Sequence, residues 1–156
     1  MLDLLKKVFI SHSFNQSSTS QEKNHSENKK LQVATCAIFL EMATSDDNCT
    51  DAEREEIVSI LQRTFDLEKE YADELIELAK SRLVQSISLY EFTGIINDNF
   101  TKEEKFELMK NLWRLIYTDR RLDKYEDHLV KKIGTMLHLE HKDVIAAKLI
   151  IKEEKV

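Results

Sequence analysis

The stretch TSDDNCTDAERE, which runs from Thr44 to Glu55, separates two segments of helical character. The segment before it, from Ala34 to Ala43, is apolar nearly all round, which predicts a buried helix. The segment after it carries apolar residues at helical spacing. The stretch itself contains five carboxylates: Asp46, Asp47, Asp51, Glu53 and Glu55. It therefore predicts either an ordinary turn between two helices or a cation site.

The composition favours an all-α fold. The 156 residues fit one domain of ordinary size. They include no proline and only two glycines, Gly94 and Gly134, whereas the turns of sheet proteins depend on Gly, Pro and Asn. With 33% charged residues, the chain is typical of helices joined by short polar turns.

Apolar residues recur at helical spacing from Lys29 to the end of the chain. The pattern assigns Leu78 to the apolar face of one helix, and Leu149 and Ile150 to that of the last helix. The predicted helices are Leu31 to Thr44, Thr50 to Phe65, Leu67 to Val84, Leu89 to Asp98, Lys102 to Tyr117, Lys124 to Leu137 and His141 to Lys152.

Three helix starts carry a hydroxyl residue followed three positions later by a glutamate, which is the pattern of a capping box. The pairs are Thr50 with Glu53, Ser88 with Glu91, and Thr101 with Glu104. A looser version pairs Asp123 with Glu126.

The first 28 residues differ in composition from the rest. Residues 1–10 predict a short amphipathic helix, which is compatible with docking on the protein's own body, on a partner or on a membrane surface. Residues 11–28 are rich in Ser, Asn and Gln and cannot bury enough apolar area, so they predict a flexible linker. The helical domain is expected to occupy residues 29–156.

The helical region contains an internal repeat at an offset of 73 residues. Val33 aligns with Phe106, and the match continues through the apolar helix and the acidic turn. Cys49 aligns with Leu122, which indicates a packing role for this cysteine just before the helix start. After a slip of one residue, Phe65 aligns with Leu137. Two such units predict a compact bundle of two related halves.

Charge and cysteine usage exclude several classes of protein. The net charge of −6 and a pI of about 5.4 disfavour nucleic-acid binding, which requires a basic stripe. Cys36 and Cys49 form neither a CxxC motif nor a disulfide framework, which favours a reduced, cytoplasmic protein. No apolar run is long enough to predict a transmembrane helix, and the N-terminus does not predict a signal peptide.

The two acidic turns, together with the helices on either side of them, resemble the TerB-like family. That family includes the tellurite-resistance TerB proteins and the N-terminal domain of certain membrane-anchored DnaJ-type co-chaperones. TSDDNCTDAERE resembles the family signature ADGxI…E, and TDRRLDKYED, from Thr118 to Asp127, resembles a second copy of it. The likeness covers Leu31 to about Lys152.

The resemblance implies an all-α bundle of roughly seven helices with pseudo-twofold halves. It also implies a stress-linked, non-catalytic role and divalent-cation binding by acidic residues. The signature Asp falls on Asp46 and Asp119, and the signature Glu falls on Glu53 and Glu126. The signature glycine is replaced by Asp47, whose charge favours a cation. In the second copy it is replaced by Arg120, and Arg121 follows, so that copy is less suited to a cation.

The candidate metal ligands are the acidic residues of both turns: Asp46, Asp47, Glu53, Asp119, Asp123 and Glu126. Calcium, magnesium and manganese prefer such oxygen ligands. Asp46 lies near the carbonyl end of a helix, which disfavours a carboxylate, and Glu53 and Glu126 lie on the inward-facing stripe, where they need a partner. The alternative is structural, because Glu53 and Glu126 occupy the capping-box position.

The sequence contains no catalytic signature, so a non-enzymatic module that contacts a protein partner is predicted. A ligand-free adaptor or a co-chaperone-like docking domain is the alternative, and a metal-dependent hydrolase is a remoter one. His138 and His141 could share a face as metal ligands, but no third ligand is fixed by spacing. Trp113 aligns with Leu40 in the repeat, which indicates a core residue.

Overall fold

A computed structural model describes residues 18–44, 49–85, 88–119 and 124–154. These residues form seven α-helices and no strand, which confirms the predicted all-α fold. The helices are α1 (Ser18–Ala43), α2 (Asp51–Phe65), α3 (Lys69–Gln85), α4 (Tyr90–Asn99), α5 (Lys102–Ile116), α6 (Lys124–Met136) and α7 (His141–Glu154). A 3-10 helix, η1 (Tyr117–Asp119), follows α5. None of the described helices is long and apolar enough to span a membrane.

Two helices form the centre of the bundle. In α1, every residue from Leu31 to Leu40 is buried, and α1 contacts α2, α3, α4, α5 and α6. In α5, buried residues occur on every face, including Leu112 and the fully buried Trp113. The indole Nε1 of Trp113 donates a hydrogen bond to the carbonyl of Val144 at 3.1 Å, so the prediction that Trp113 is a core residue is confirmed.

The contacts between helices follow the internal repeat. α1, α2 and α3 correspond to α5, α6 and α7, and in each half the first helix packs most extensively against the third. Across the halves α1 contacts α6 and α5 contacts α2, a reciprocal pair that a pseudo-twofold arrangement requires. The turns also match, because Asp66 and His138, equivalent after the one-residue slip, are the two non-glycine residues with positive φ in the described ranges.

The first helix begins earlier than predicted. The sequence assigns a helix start near Leu31 and a linker to residues 11–28, whereas α1 begins at Ser18 and includes residues 18–28. Glu, Gln and Lys are good helix formers, and extending a helix whose other end is already packed costs little. The linker prediction rested on the scarcity of apolar residues in this segment. That scarcity indicates that the segment is not buried, but it does not exclude a helix. Residues 1–10, and with them the predicted amphipathic helix, lie outside the described residues.

The start of α4 also differs from the prediction. The capping-box pattern places the start after Ser88, but α4 begins at Tyr90, and Leu89 occupies the N-cap position without a side-chain cap hydrogen bond. Ser88 Oγ accepts a hydrogen bond from the amide of Tyr90 at 3.3 Å. The capping-box pattern thus located the start of α4 to within two residues, but it assigned the wrong residue as the N-cap.

Three aliphatic residues that the periodicity assigned to apolar faces are exposed. Leu78 on α3 is 36% exposed, and Leu149 and Ile150 on α7 are 55% and 45% exposed. Their helices bury narrower stripes than predicted, because α3 and α7 lie at the outside of the bundle and pack on one side. Helical periodicity identifies which residues share a face and cannot give the width of the face that a neighbour covers.

The two glycines generate a matched stability prediction. A Cβ on Gly134, in α6, would lie 2.5 Å from Cγ2 of Val144, whereas a Cβ on Gly94, in α4, would meet no atom within 4 Å. Gly134→Ala should therefore lower the free energy of unfolding by about 1–3 kcal/mol through overpacking. Gly94→Ala should raise it by about 0.5–1 kcal/mol through helix propensity. Urea unfolding of both variants checks this, and equal effects of the two substitutions would contradict the close approach of α6 and α7.

Candidate functional site

The helix after the first acidic turn begins with a complete capping box. Thr50 Oγ1 accepts a hydrogen bond from the amide of Glu53 at 3.1 Å. In return, Glu53 Oε1 accepts from the amide of Thr50 at 3.3 Å and from its hydroxyl at 3.0 Å. The glutamate is only 6% exposed, so it lies on the inward face, as the spacing predicted.

A second capping box at the start of α5 has the same geometry. Thr101 Oγ1 accepts from the amide of Glu104 at 3.2 Å, and Glu104 Oε1 accepts from the amide of Thr101 at 2.9 Å. Glu104 is 1% exposed, although neither acidic turn precedes α5. A buried capping glutamate therefore also occurs outside the acidic turns of this protein, and the cap is sufficient to account for the burial of Glu53.

The remaining candidate ligands are distributed over both turns. Glu126 lies in the first turn of α6 and is 6% exposed, matching Glu53 in the other half. Asp119 ends η1, and the structure describes its backbone but not its side chain. Asp46, Asp47 and Asp123 lie outside the described residues. Within the described ranges, no group of three or more His, Cys, Asp or Glu side chains is arranged to hold a metal ion.

The fold brings the surroundings of the two turns together. α2, which follows the first turn, contacts η1, which opens the second turn. Tyr117 in η1 stacks on Trp113, with ring centroids 6.0 Å apart. Partial burial raises the pKa of the Tyr117 phenol, and the carboxylate of Asp127 raises it further.

The basic residue nearest in sequence to the first turn is held by carboxylates of a neighbouring helix. Arg54 lies 3.5 Å from Asp73 Oδ1 and 3.4 Å from Glu77 Oε1, both on α3. A groove of about 710 Å³ runs between α2 and α3 beside this contact, and Asp51 lines the groove next to the turn. The guanidinium of Arg54 is thus paired with carboxylates of α3.

The model of one protein family matches residues 32–149, and its description is "Tellurite resistance protein TerB". The chain belongs to the TerB family. The match covers more than half of the 156 residues and includes both acidic turns, which confirms the resemblance drawn from TSDDNCTDAERE and its second copy. No curated protein and no solved structure matches the chain.

The two cysteines of this TerB domain occupy different environments. Cys36 is fully buried on α1, and this burial raises the pKa of its thiol to about 12, although the positive charges of Arg54 and Lys80 partly oppose the shift. Cys49 is half-buried and packs against the core, and its thiol contacts the carbonyl of Thr50 at 3.7 Å. These contacts agree with the packing role that the repeat predicts for Cys49.

In the part of the chain that the structure describes, His138 and His141 are not brought together with a third metal ligand. His138 is exposed in the turn after α6, with φ at 61°, and His141 is the exposed first residue of α7. The positive φ of His138 gives this residue a conformational role, since it ends α6 where the equivalent Asp66 ends α2.

Sequence reasoning missed a buried ion pair in the TerB domain. Lys110 Nζ lies 2.6 Å from Glu107 Oε1 on α5, and both side chains are about 90% buried. The ammonium also lies 5.5 Å from the centroid of the Phe106 ring. The repeat contained the signal, because Glu107 and Lys110 align with Ala34 and Ala37 in the fully buried part of α1. A charged side chain at a core position needs a partner of opposite charge to remain buried.

The capping geometry predicts how the domain responds to loss of a hydroxyl. Thr50→Ala and Thr101→Ala should each lower the free energy of unfolding by about 0.5–2 kcal/mol, because each removes the acceptor for a helix N-terminal amide. Thr135→Ala is the matched control, since the Thr135 hydroxyl bonds only the carbonyl of Lys131 within its own helix. Chemical denaturation measures all three, and a Thr50→Ala effect no larger than that of Thr135→Ala would contradict the cap.

The burial of Cys36 predicts a difference in thiol reactivity. In the native protein at mildly alkaline pH, Cys49 should react with a chromogenic disulfide reagent and Cys36 should not, because the reactive species is the thiolate. Cys36 should react only on unfolding. Kinetics of thiol release measure this, with Cys49→Ser expected to remove the fast phase, and rapid reaction of both thiols would contradict the position of Cys36.

Proposed function

We propose that this TerB domain is a non-enzymatic module of a stress response that acts by contacting a partner protein and binds a divalent cation at its first acidic turn. The observation that supports the proposal is family membership: the match to TerB includes both acidic turns, with their signature carboxylates at Asp46, Asp119, Glu53 and Glu126.

The donor chemistry of the first turn suits a hard cation. Asp46 and Asp47 are adjacent carboxylates at the carbonyl end of a buried helix, where both the macrodipole and their mutual repulsion disfavour two negative charges. A bound cation relieves that repulsion. Carboxylate oxygens suit calcium, magnesium and manganese better than softer metals.

Glu53 supports this proposal as a positioning residue. Its Oε1 already accepts hydrogen bonds from the amide and hydroxyl of Thr50, which fixes the start of α2 directly after the turn. The aspartates of the turn are therefore the proposed ligands. The second turn carries Arg120 and Arg121 beside Asp119, so it is proposed to bind a cation more weakly.

The groove between α2 and α3 is the proposed place for the protein partner. It adjoins the turn at Asp51 and offers both charge signs, from Arg54 and Lys69 to Glu55 and Asp73. A mixed lining of this kind suits a polar protein surface better than a small apolar ligand.

The cation proposal predicts a result in calorimetry. Calcium, magnesium and manganese are titrated separately into the protein, and at least one should give a binding heat and raise the melting temperature, because a ligand that binds only the folded state stabilises it. Asp46→Asn with Asp47→Asn should abolish both effects, and Asp119→Asn should reduce them less.

The control is Glu68→Gln with Glu70→Gln, which makes the same change in net charge at exposed positions away from the turn. It should leave the binding heat unchanged. Absence of heat and of any thermal shift at millimolar cation would overturn the proposed site. Glu53→Ala should destabilise by about 0.5–2 kcal/mol with or without cation, as expected for a cap.

A ligand-free adaptor is the second candidate, and one observation favours it. The burial of Glu53 has a structural cause, because Glu104 is buried in an equivalent cap that lies outside both acidic turns. In that case Glu53 serves only to cap α2. The calorimetric experiment separates the two candidates, since an adaptor gives no cation heat while keeping its protein contacts.

A further inference from the structure

The outer face of α7 carries an apolar stripe that no described part of the chain covers. Leu149 is 55% exposed and Ile150 is 45% exposed, and Ala146 lies one turn earlier on the same face and is also exposed. The opposite face, with Val144 and Ile151, packs into the core. Because Leu149 and Ile150 are consecutive, their exposed side chains form one small continuous apolar patch.

The first half of the molecule carries charged residues at the positions equivalent to this stripe. With the one-residue slip of the repeat, the three positions Ile145, Ala146 and Leu149 of α7 correspond to acidic residues of α3. Those residues are Asp73, Glu74 and Glu77. The two helices occupy equivalent places, each packed against its own central helix. The fold therefore permits a charged face here, and α7 departs from it.

The residues of α7 are also arranged symmetrically about the point between Ala147 and Lys148. Residues at equal distances from that point pair well when two copies of the helix run antiparallel. Lys142 then faces Glu153, Ile145 faces Ile150, and the small Ala146 faces the large Leu149. The ends continue the pattern, since His141 corresponds to Glu154 and Asp143 to Lys152.

We propose that α7 is a self-association surface, on which a second copy of this chain packs with its own α7 antiparallel about a twofold axis. Such an interface is isologous, so each favourable pair occurs twice. Lys142 of one subunit lies opposite Glu153 of the partner subunit, and Leu149 inserts beside the partner subunit's Ala146. The antiparallel macrodipoles add a favourable term.

The charges around the stripe favour a second copy over a membrane surface. α7 carries three lysines and three carboxylates, so it lacks the basic excess that anionic lipids attract. The charged residues beside the stripe already form ion pairs within the subunit. Lys142 lies 3.2 Å from Glu140, and Arg114 lies 3.2 Å from Glu154. Both contacts are partly exposed to solvent, so they can be exchanged for contacts with a partner at little cost.

One helix per subunit makes a small interface. A contact of that size lies below the area of about 1,200–2,000 Å² that stable complexes bury, so the dimer should be weak, with a dissociation constant in the micromolar to millimolar range. Its formation therefore depends on protein concentration, which sets the form of the experiment.

Sedimentation velocity of the full chain from micromolar to millimolar concentration tests the proposal. The average mass of the wild type should rise from 18.3 kDa towards twice that value. Leu149→Glu should stay monomeric across the range, because it buries a charge at the twofold axis. Leu78→Glu is the matched control, since Leu78 is the counterpart of Ile150 on α3, and it should associate like the wild type. Circular dichroism verifies that each variant is folded.

A charge exchange tests the antiparallel register. Lys142→Glu and Glu153→Lys should each weaken association about threefold to tenfold, because each places like charges together twice in the dimer. The variant with both substitutions should return to within about twofold of the wild type, because the pair is restored with its signs exchanged.

Three outcomes would overturn the proposal. The first is a wild type that remains monomeric at millimolar concentration. The second is association that Leu149→Glu does not weaken, which would place the interface elsewhere. The third is a monomer whose co-sedimentation with phosphatidylserine vesicles is lost in Leu149→Glu, which would make a lipid surface the occupant of the stripe.

Discussion

The packing of two helical segments that are buried on nearly all sides is the constraint on which the rest of this structure depends. α1 is buried continuously from Leu31 to Leu40, and α5 is buried on every face. A helix of this kind needs neighbours all round, and neither half supplies enough of them alone. The halves therefore complete each other, with α1 against α5 and each central helix against the second helix of the other half.

Burial on all sides also requires internal partners for the polar groups of the central helices. The Thr35 hydroxyl donates a hydrogen bond to the carbonyl of Leu31 at 2.8 Å, and the Trp113 indole donates one to the carbonyl of Val144. Lys110 and Glu107 form an ion pair, with Lys110 Nζ 2.6 Å from Glu107 Oε1. Such a pair contributes little net stability compared with the alanines found at the equivalent positions of α1, and losing one partner costs far more. α5 is thus more polar than α1, although the repeat places the two helices in equivalent positions.

The same geometry gives the acidic turns their character. Each turn leaves the carbonyl end of a central helix and enters the amide end of the next one, so it lies between two opposite macrodipoles. Glu53 belongs to the amide end and has a measurable structural partner in Thr50. Asp46 and Asp47 belong to the carbonyl end, where helix physics offers a carboxylate no stabilisation, and the cation proposal for this TerB domain therefore concerns them.

The sequence by itself determined the helical class, the repeat, the boundaries of most helices to within two residues, and the capping boxes of Thr50 and Thr101. These features are local, since periodicity, cap chemistry and residue spacing act within a few turns of chain, and the TerB signature is a local pattern as well. Only the tertiary structure decided that Leu149 and Ile150 stay exposed and that Lys110 is buried. Each of these depends on which face of a helix its neighbours cover, and spacing along one helix carries no information about that.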